Sequence, residues 1–235
     1  MTNIRTAVIG VGHLGAYHAE KYSQIDNVDL IAVCDINKSI GKKIALKYGV
    51  PLISDYKELL GKIDAVTIAT DTYTHFELAC FFLKNGVHVL VEKPITTTSE
   101  EAKKLTMLAE DNDLRLQVGH IERFNPALVS ARKKLGKVQF IECHRLAPFK
   151  GRGADVDVIL DLMIHDLDVI LSLVDGSPHS VSAIGISVIT NSVDIANARI
   201  EFSTGAIANV TASRVSTSVQ RKFRVFHEGQ YLSID

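Results

Sequence analysis

The rhythm of apolar and polar positions changes once along this chain. Up to about residue 120, short apolar runs rich in β-branched residues alternate with segments whose apolar positions recur every three or four residues. The runs predict buried strands and the segments predict amphipathic helices. Strands are predicted over 5–9, 28–34, 63–69, 87–91 and 114–118, and helices over 13–25, 38–48, 55–60, 75–84 and 100–111. Asn85-Gly86 is a helix stop, Ser99 is placed to cap the helix that follows, and Ser54 or Asp55 the short one. Strands and helices that alternate over short connections predict a doubly wound parallel sheet.

After about residue 124 the pattern differs. A helix over 126–135 and a long strand over 137–146 lead to a loop with Gly151, Arg152 and Gly153. A helix carrying Asp161 and His165 follows. From Ser180 onward four or five β segments are separated by turn signals at Asn191, Thr204-Gly205 and Glu228-Gly229. Consecutive strands without helices predict a mostly antiparallel or mixed sheet. The expected architecture is α/β, with one domain over 1–121 and an α+β domain over 122–235.

Composition narrows the function. Of 235 residues 46% are hydrophobic, enough for a packed core, and the net charge of −1 gives no basis for binding nucleic acid or a membrane surface. No apolar run reaches membrane-spanning length and no leader is evident, so a cytoplasmic protein is expected. Cys34, Cys80 and Cys143 are widely spaced and form no Cys-x-x-Cys. They are expected to be reduced and mostly buried, and no metal site is expected.

The chemistry gathers at predicted strand ends. Gly10-Val11-Gly12-His13-Leu14-Gly15 joins the first strand to the first helix. Glycine permits the tight turn and lets backbone approach a pyrophosphate, and the helix start offers it N–H groups. Asp35 ends the next strand, 20 residues beyond Gly15. There a carboxylate would accept hydrogen bonds from ribose hydroxyls and repel a 2′-phosphate, which favours NAD over NADP; Lys38 softens the preference. Together these features predict a Rossmann domain. Thr70 follows the third predicted strand. His75, in the first turn of the next helix, is either a cofactor contact or an ordinary polar residue at a helix start. Glu92-Lys93-Pro94 ends the fourth strand, where a lysine could hydrogen-bond a substrate hydroxyl; the alternative is a solvated turn. Asp161 and His165, four apart on a helix with apolar flanks, would share one face, as a carboxylate and imidazole pair fit for acid–base work. Asp168 continues that stripe and is expected to be structural.

With Arg123-Phe124-Asn125-Pro126 added, these motifs resemble, in order and spacing, the glucose-fructose oxidoreductase / inositol dehydrogenase / MocA (Gfo/Idh/MocA) family along the whole chain. The resemblance implies a Rossmann domain followed by a substrate domain whose sheet carries homodimer or homotetramer contacts. It implies that Lys93 contacts nicotinamide and substrate hydroxyl, that His165 is the acid/base, and that Asp161 positions the substrate or the imidazole. The expected cofactor contacts are Gly10, Gly12, His13, Leu14, Gly15, Asp35, Thr70, His75, Glu92 and Lys93. Ile121 to Pro126 and the 155–165 segment are most similar to the nucleotide-sugar branch, the UDP-N-acetylglucosamine 3-dehydrogenase-like proteins. A diphosphate needs cations, and Arg145, Lys150, Arg152 and Arg214 are the candidates.

Two features depart from the family pattern. Asp155-Val-Asp157-Val stands where many members carry glycines, which places carboxylates near the sugar and points away from a plain hexose or inositol. The chain ends at Tyr231-Leu-Ser-Ile-Asp235 where members usually continue, so a C-terminally truncated second domain is expected. The rival readings are a free-sugar or inositol dehydrogenase and a non-catalytic dinucleotide-sensing regulator. Retention of both Lys93 and His165 favours turnover.

Overall fold

A computed structural model describes residues 2–149 and 156–235. The chain forms two compact units, the first ending at Gly119 and the second beginning at His120.

The first unit is a six-stranded parallel sheet with helices in the connections. Its strands are β1 (Ile4–Ile9), β2 (Val28–Cys34), β3 (Leu52–Ile53), β4 (Ala65–Ile68), β5 (His88–Val91) and β6 (Leu116–Val118). They lie in the order β3-β2-β1-β4-β5-β6, a doubly wound sheet that reverses beside β1. The helices are α1 (His13–Tyr22), α2 (Lys38–Tyr48), α3 (Thr72–Lys84) and α4 (Ser99–Asp111). Val66, Ile68, Val89 and Val91 pack against Leu78, Phe82, Leu83 and Leu105 in one core cluster. Val8 and Val33 pack against Ala19, Ile44 and Ala45 in another.

Register matters most for function. Ile9 pairs with Cys34 and with Ile68, Ile68 with Val91, and Val91 with Val118. These residues form one row across the sheet. The residues that leave the row, Asp35, Gly10, Ala69, Glu92 and Gly119, therefore emerge along one edge.

Several local expectations change. The two-residue strand β3 is too short to show a period and escapes sequence reading. α1 stops at Tyr22, three residues early, and α3 starts at Thr72, three residues early. Thr98, not Ser99, caps α4: its hydroxyl accepts from Glu101 N–H at 3.2 Å, while the Thr97 hydroxyl donates to Glu101 Oε2 at 3.0 Å. The Thr98 hydroxyl supplies the N-cap bond one residue before the cap expected at Ser99.

The second unit is a six-stranded sheet packed on helices. Its strands are β7 (Val138–Leu146), β8 (Pro178–Ile186), β9 (Ile195–Phe202), β10 (Ile207–Ser213), β11 (Gln220–His227) and β12 (Gln230–Ile234), in the order β12-β11-β7-β10-β9-β8. Only the β7–β10 pair is parallel, so the sheet is mostly antiparallel. The helices are α5 (Pro126–Arg132) and α6 (Ile164–Leu173). Ile141, Cys143, Ala208, Val210 and Val225 pack with Met163 and Ile170 in the core of this unit. β9 alternates buried and exposed residues, and β8 is exposed along its whole length. Among the described residues no helix is long and apolar enough to cross a membrane.

Candidate active site

Each glycine of the phosphate turn has its own geometric reason. Gly10 has φ +75°, and a Cβ there would lie 2.6 Å from the Ala69 carbonyl oxygen. A Cβ on Gly15 would lie 1.7 Å from the Gly10 carbonyl oxygen, so only glycine lets α1 sit this close to the turn. Gly12 differs, because a Cβ there meets nothing within 4 Å. It faces open space, and no side chain caps the start of α1. Gly12, His13 and Leu14 are exposed, and the first-turn N–H groups have no acceptor within the helix. This cradle fits a pyrophosphate.

Asp35 closes the cradle. Val11 N–H donates to its Oδ2 at 2.8 Å and Asn37 N–H to its Oδ1 at 2.7 Å. Asn37 caps α2 in turn, accepting from Ser39 and Ile40 N–H. The carboxylate is thus fixed on the glycine turn, and each oxygen retains acceptor capacity for a ribose hydroxyl. Its backbone role, and that of Asn37, is invisible in the fingerprint alone.

Thr70 lies beside Gly10, and its hydroxyl is 2.6 Å from the Thr74 hydroxyl. His75 is placed differently from a cofactor contact. It is 1% exposed, with Nδ1 2.8 Å from the Pro94 carbonyl oxygen and Nε2 3.1 Å from the Thr70 carbonyl oxygen. Its ring is committed to backbone and latches the turns after β4 and β5 together. The geometry gives it an indirect role, through Thr70 and Pro94.

The Glu92-Lys93-Pro94 turn is no solvated surface turn. Glu92 is 7% exposed, and His18 Nε2 lies 2.7 Å from its Oε1. Lys93 N–H donates to Oε2 at 3.3 Å. Lys93 is half-buried, and the peptide bond to Pro94 is cis. His18 is a residue sequence reasoning missed. Its signal was position: Gly15 and Ala19 mark the buried face of α1, and His18 lies one turn from Gly15 on the same side.

In the second unit Asp161 does not sit on a regular α-helix. Ile159–Met163 forms a π-helical turn, in which Ile164 N–H reaches the Ile159 carbonyl, before α6 begins. The expected same-face α spacing of Asp161 and His165 is therefore broken by one wide turn, a feature frequent at functional sites. Both side chains are half-buried. Asp157 caps this turn, accepting from Leu160 N–H at 2.9 Å. The bond fixes one Asp157 oxygen at the start of the turn; Asp155 lies outside the described residues.

Ion pairs onto buried aspartates brace the segment. Arg123 donates to both oxygens of Asp168 at 2.7 and 2.6 Å, so Asp168 is structural. Asn125 caps α5, accepting from Ala127 N–H, with Pro126 in the first turn. Arg145 forks onto Asp166 at 3.0 and 2.7 Å. Burial works against the Arg145 charge, but the Asp166 carboxylate outweighs it and holds the guanidinium firmly protonated. Arg214, 3% exposed, donates to Asp194 Oδ1 at 2.8 Å and to the Val156 carbonyl at 2.8 Å. Arg145 and Arg214 are thus corrected from diphosphate ligands to structural cations. The other two candidates, Lys150 and Arg152, lie outside the described residues, as does the expected Gly151–Gly153 loop.

The two buried cysteines, Cys34 and Cys143, are poor nucleophiles. Burial first, and then Asp35, pushes the Cys34 thiol up to about 11, and burial raises that of Cys143 further. Among the described residues no cluster of ligating side chains suits a metal ion.

Comparison with known proteins identifies the family and the fold. The family profile described as "Oxidoreductase family, NAD-binding Rossmann fold" matches residues 4–120, and "GFO/IDH/MocA C-terminal domain" matches residues 129–232. UDP-N-acetylglucosamine 3-dehydrogenase of Acidithiobacillus ferrooxidans is 42% identical over 236 residues, covering 100% of this chain and 75% of that protein. Its solved structure superposes with a TM-score of 0.94, covering 100% of this chain and 77% of that one. The scyllo-inositol 2-dehydrogenase (NAD(+)) of Bacillus subtilis is 32% identical over 233 residues, covering 91% of this chain and 68% of that protein.

Proposed function

Because the chain belongs to the Gfo/Idh/MocA oxidoreductase family, we propose that it is an NAD-dependent dehydrogenase of a nucleotide sugar, with UDP-N-acetylglucosamine the first substrate to test. The observation that carries the reading is the register row Cys34–Ile9–Ile68–Val91. It delivers the ribose acid, the phosphate turn, Thr70 and Lys93 to one sheet edge.

The glycine turn and the start of α1 bind the pyrophosphate. Asp35 accepts from the ribose hydroxyls and disfavours a 2′-phosphate, so NAD is preferred to NADP. Ile36, 96% exposed beside Asp35, offers adenine an apolar platform. Bound nicotinamide supplies the hydride acceptor. Lys93 hydrogen-bonds the substrate hydroxyl and stabilises negative charge on its oxygen as the proton leaves. His165 takes that proton on its imidazole, and Asp161 orients the sugar or the ring. Retention of Lys93, Asp161 and His165 supports turnover over a purely sensing role.

The nucleotide-sugar assignment draws on similarity to the A. ferrooxidans enzyme, and the inositol reading on similarity to the B. subtilis enzyme. A panel read by NADH absorbance separates them. Oxidation of UDP-N-acetylglucosamine, with N-acetylglucosamine, myo-inositol and scyllo-inositol inert, is the expected outcome. Oxidation of an inositol alone would replace the reading. We also propose that the second unit forms the homodimer or homotetramer contact. The exposed strand β8, with Ile184 and Ile186 half or more exposed, supports that assignment.

A further inference from the structure

The His18–Glu92 contact joins two parts of the first unit that sequence motifs treat separately. His18 lies on α1, the helix whose first turn forms the phosphate cradle. Glu92 follows β5 and immediately precedes Lys93. The carboxylate is held on three sides. His18 Nε2 is 2.7 Å from Oε1, Lys93 N–H reaches Oε2 at 3.3 Å, and a Cβ on Gly119 would lie 2.8 Å from Oε2. The short contact is a hydrogen bond between the imidazole and the carboxylate. A carboxylate this buried requires such a partner, because burial without one is strongly unfavourable.

The Lys93 backbone therefore takes its position partly from Glu92, and Glu92 takes its own from α1. His75 adds a second restraint from the other side, through the Pro94 carbonyl oxygen. We propose that His18 is a positioning residue: through Glu92 it registers the Lys93 turn against the phosphate-binding helix, so that dinucleotide binding and lysine placement are set by one rigid body. The functional half of this inference rests on the reading that Lys93 acts on the substrate hydroxyl.

The test compares His18→Leu, His18→Gln and Lys93→Met in the full chain. Glutamine can place an amide N–H where Nε2 stands, whereas leucine cannot. Hydrogen exchange of the Lys93 amide needs no substrate. It should quicken about tenfold or more in His18→Leu, the scale set by losing a hydrogen bond to a charged acceptor, and return towards wild type in His18→Gln. NADH affinity, measured by fluorescence titration, should change less than about threefold in both, because the glycine cradle is intact. With UDP-N-acetylglucosamine and NAD, kcat should fall about tenfold in His18→Leu with partial rescue by glutamine. Unchanged Lys93 exchange in His18→Leu would overturn the positioning. So would loss of NADH binding in both variants, since that marks general damage to α1. Lys93→Met distinguishes the two layers. If it turns over like wild type, the role of Lys93 falls; if it is inactive while His18→Leu matches wild type, only the role of His18 falls.

Discussion

At the scale of single residues, the candidate site divides into groups that meet ligand and groups that hold them. Asp35 holds the glycine turn, because its two oxygens accept from Val11 and Asn37 N–H, and in the proposed function the same oxygens also accept from ribose. Asp35→Ala should therefore weaken NAD about tenfold or more, since it removes ribose acceptors and loosens the turn together. It should also narrow the NAD-over-NADP preference, as repulsion of the 2′-phosphate disappears. Calorimetric titration with both dinucleotides checks this, and unchanged affinities for both would remove Asp35 from recognition. The sequence made Asp35 legible because its spacing from Gly15 is local and fixed by the fold. His18 and the structural roles of Arg145 and Arg214 were not legible, because their partners lie 20 or more residues away. An isolated basic residue looks the same in sequence whether it meets a phosphate or a buried aspartate.

At the scale of elements, parallel strands were read well because buried apolar runs and glycine stops are strong signals. The cap at Thr98 and the two-residue strand β3 escape sequence reading at the boundaries, where one residue decides. The π turn over Ile159–Met163 was illegible, because its apolar residues also suit an ordinary helix. That segment is anchored through Val158 N–H to the Val193 carbonyl and through Arg214 to Val156 and Asp194. Burial by itself would raise the Asp194 carboxyl. Hydrogen bonds from the Thr190, Val188 and Ile189 N–H groups and the Thr190 hydroxyl outweigh it and hold the group far below the usual carboxylate range. The unfolded aspartate titrates near 3.9, so the stabilisation from Asp194 is complete above about that pH and drains away as pH falls further. Asp194→Asn should lower the melting temperature at neutral pH and flatten the acid limb of the stability curve. Parallel curves for wild type and variant through the acid range would contradict this coupling.

At the scale of the whole molecule, the proposed function draws on both compact units: the glycine turn and Lys93 lie in the first, and Asp161 and His165 in the second. Strand-helix alternation followed by consecutive strands makes the parallel sheet and the mostly antiparallel sheet legible in the sequence, whereas the parallel pairing of β7 with β10 joins strands far apart in the chain and leaves no local signal. The exposed β8 leads to a prediction about assembly. Ile184→Lys should shift the chain towards monomer in light scattering, and an unchanged mass would exclude β8 as the contact. In the proposed function His165 takes the proton of the substrate hydroxyl. The most direct measurement is NADH formation from NAD and UDP-N-acetylglucosamine by wild type and His165→Asn, with NADH affinity recorded on the same samples. In His165→Asn kcat should fall about 10²- to 10⁴-fold with affinity retained, the usual worth of a positioned general base. Equal kcat in the two proteins would contradict it.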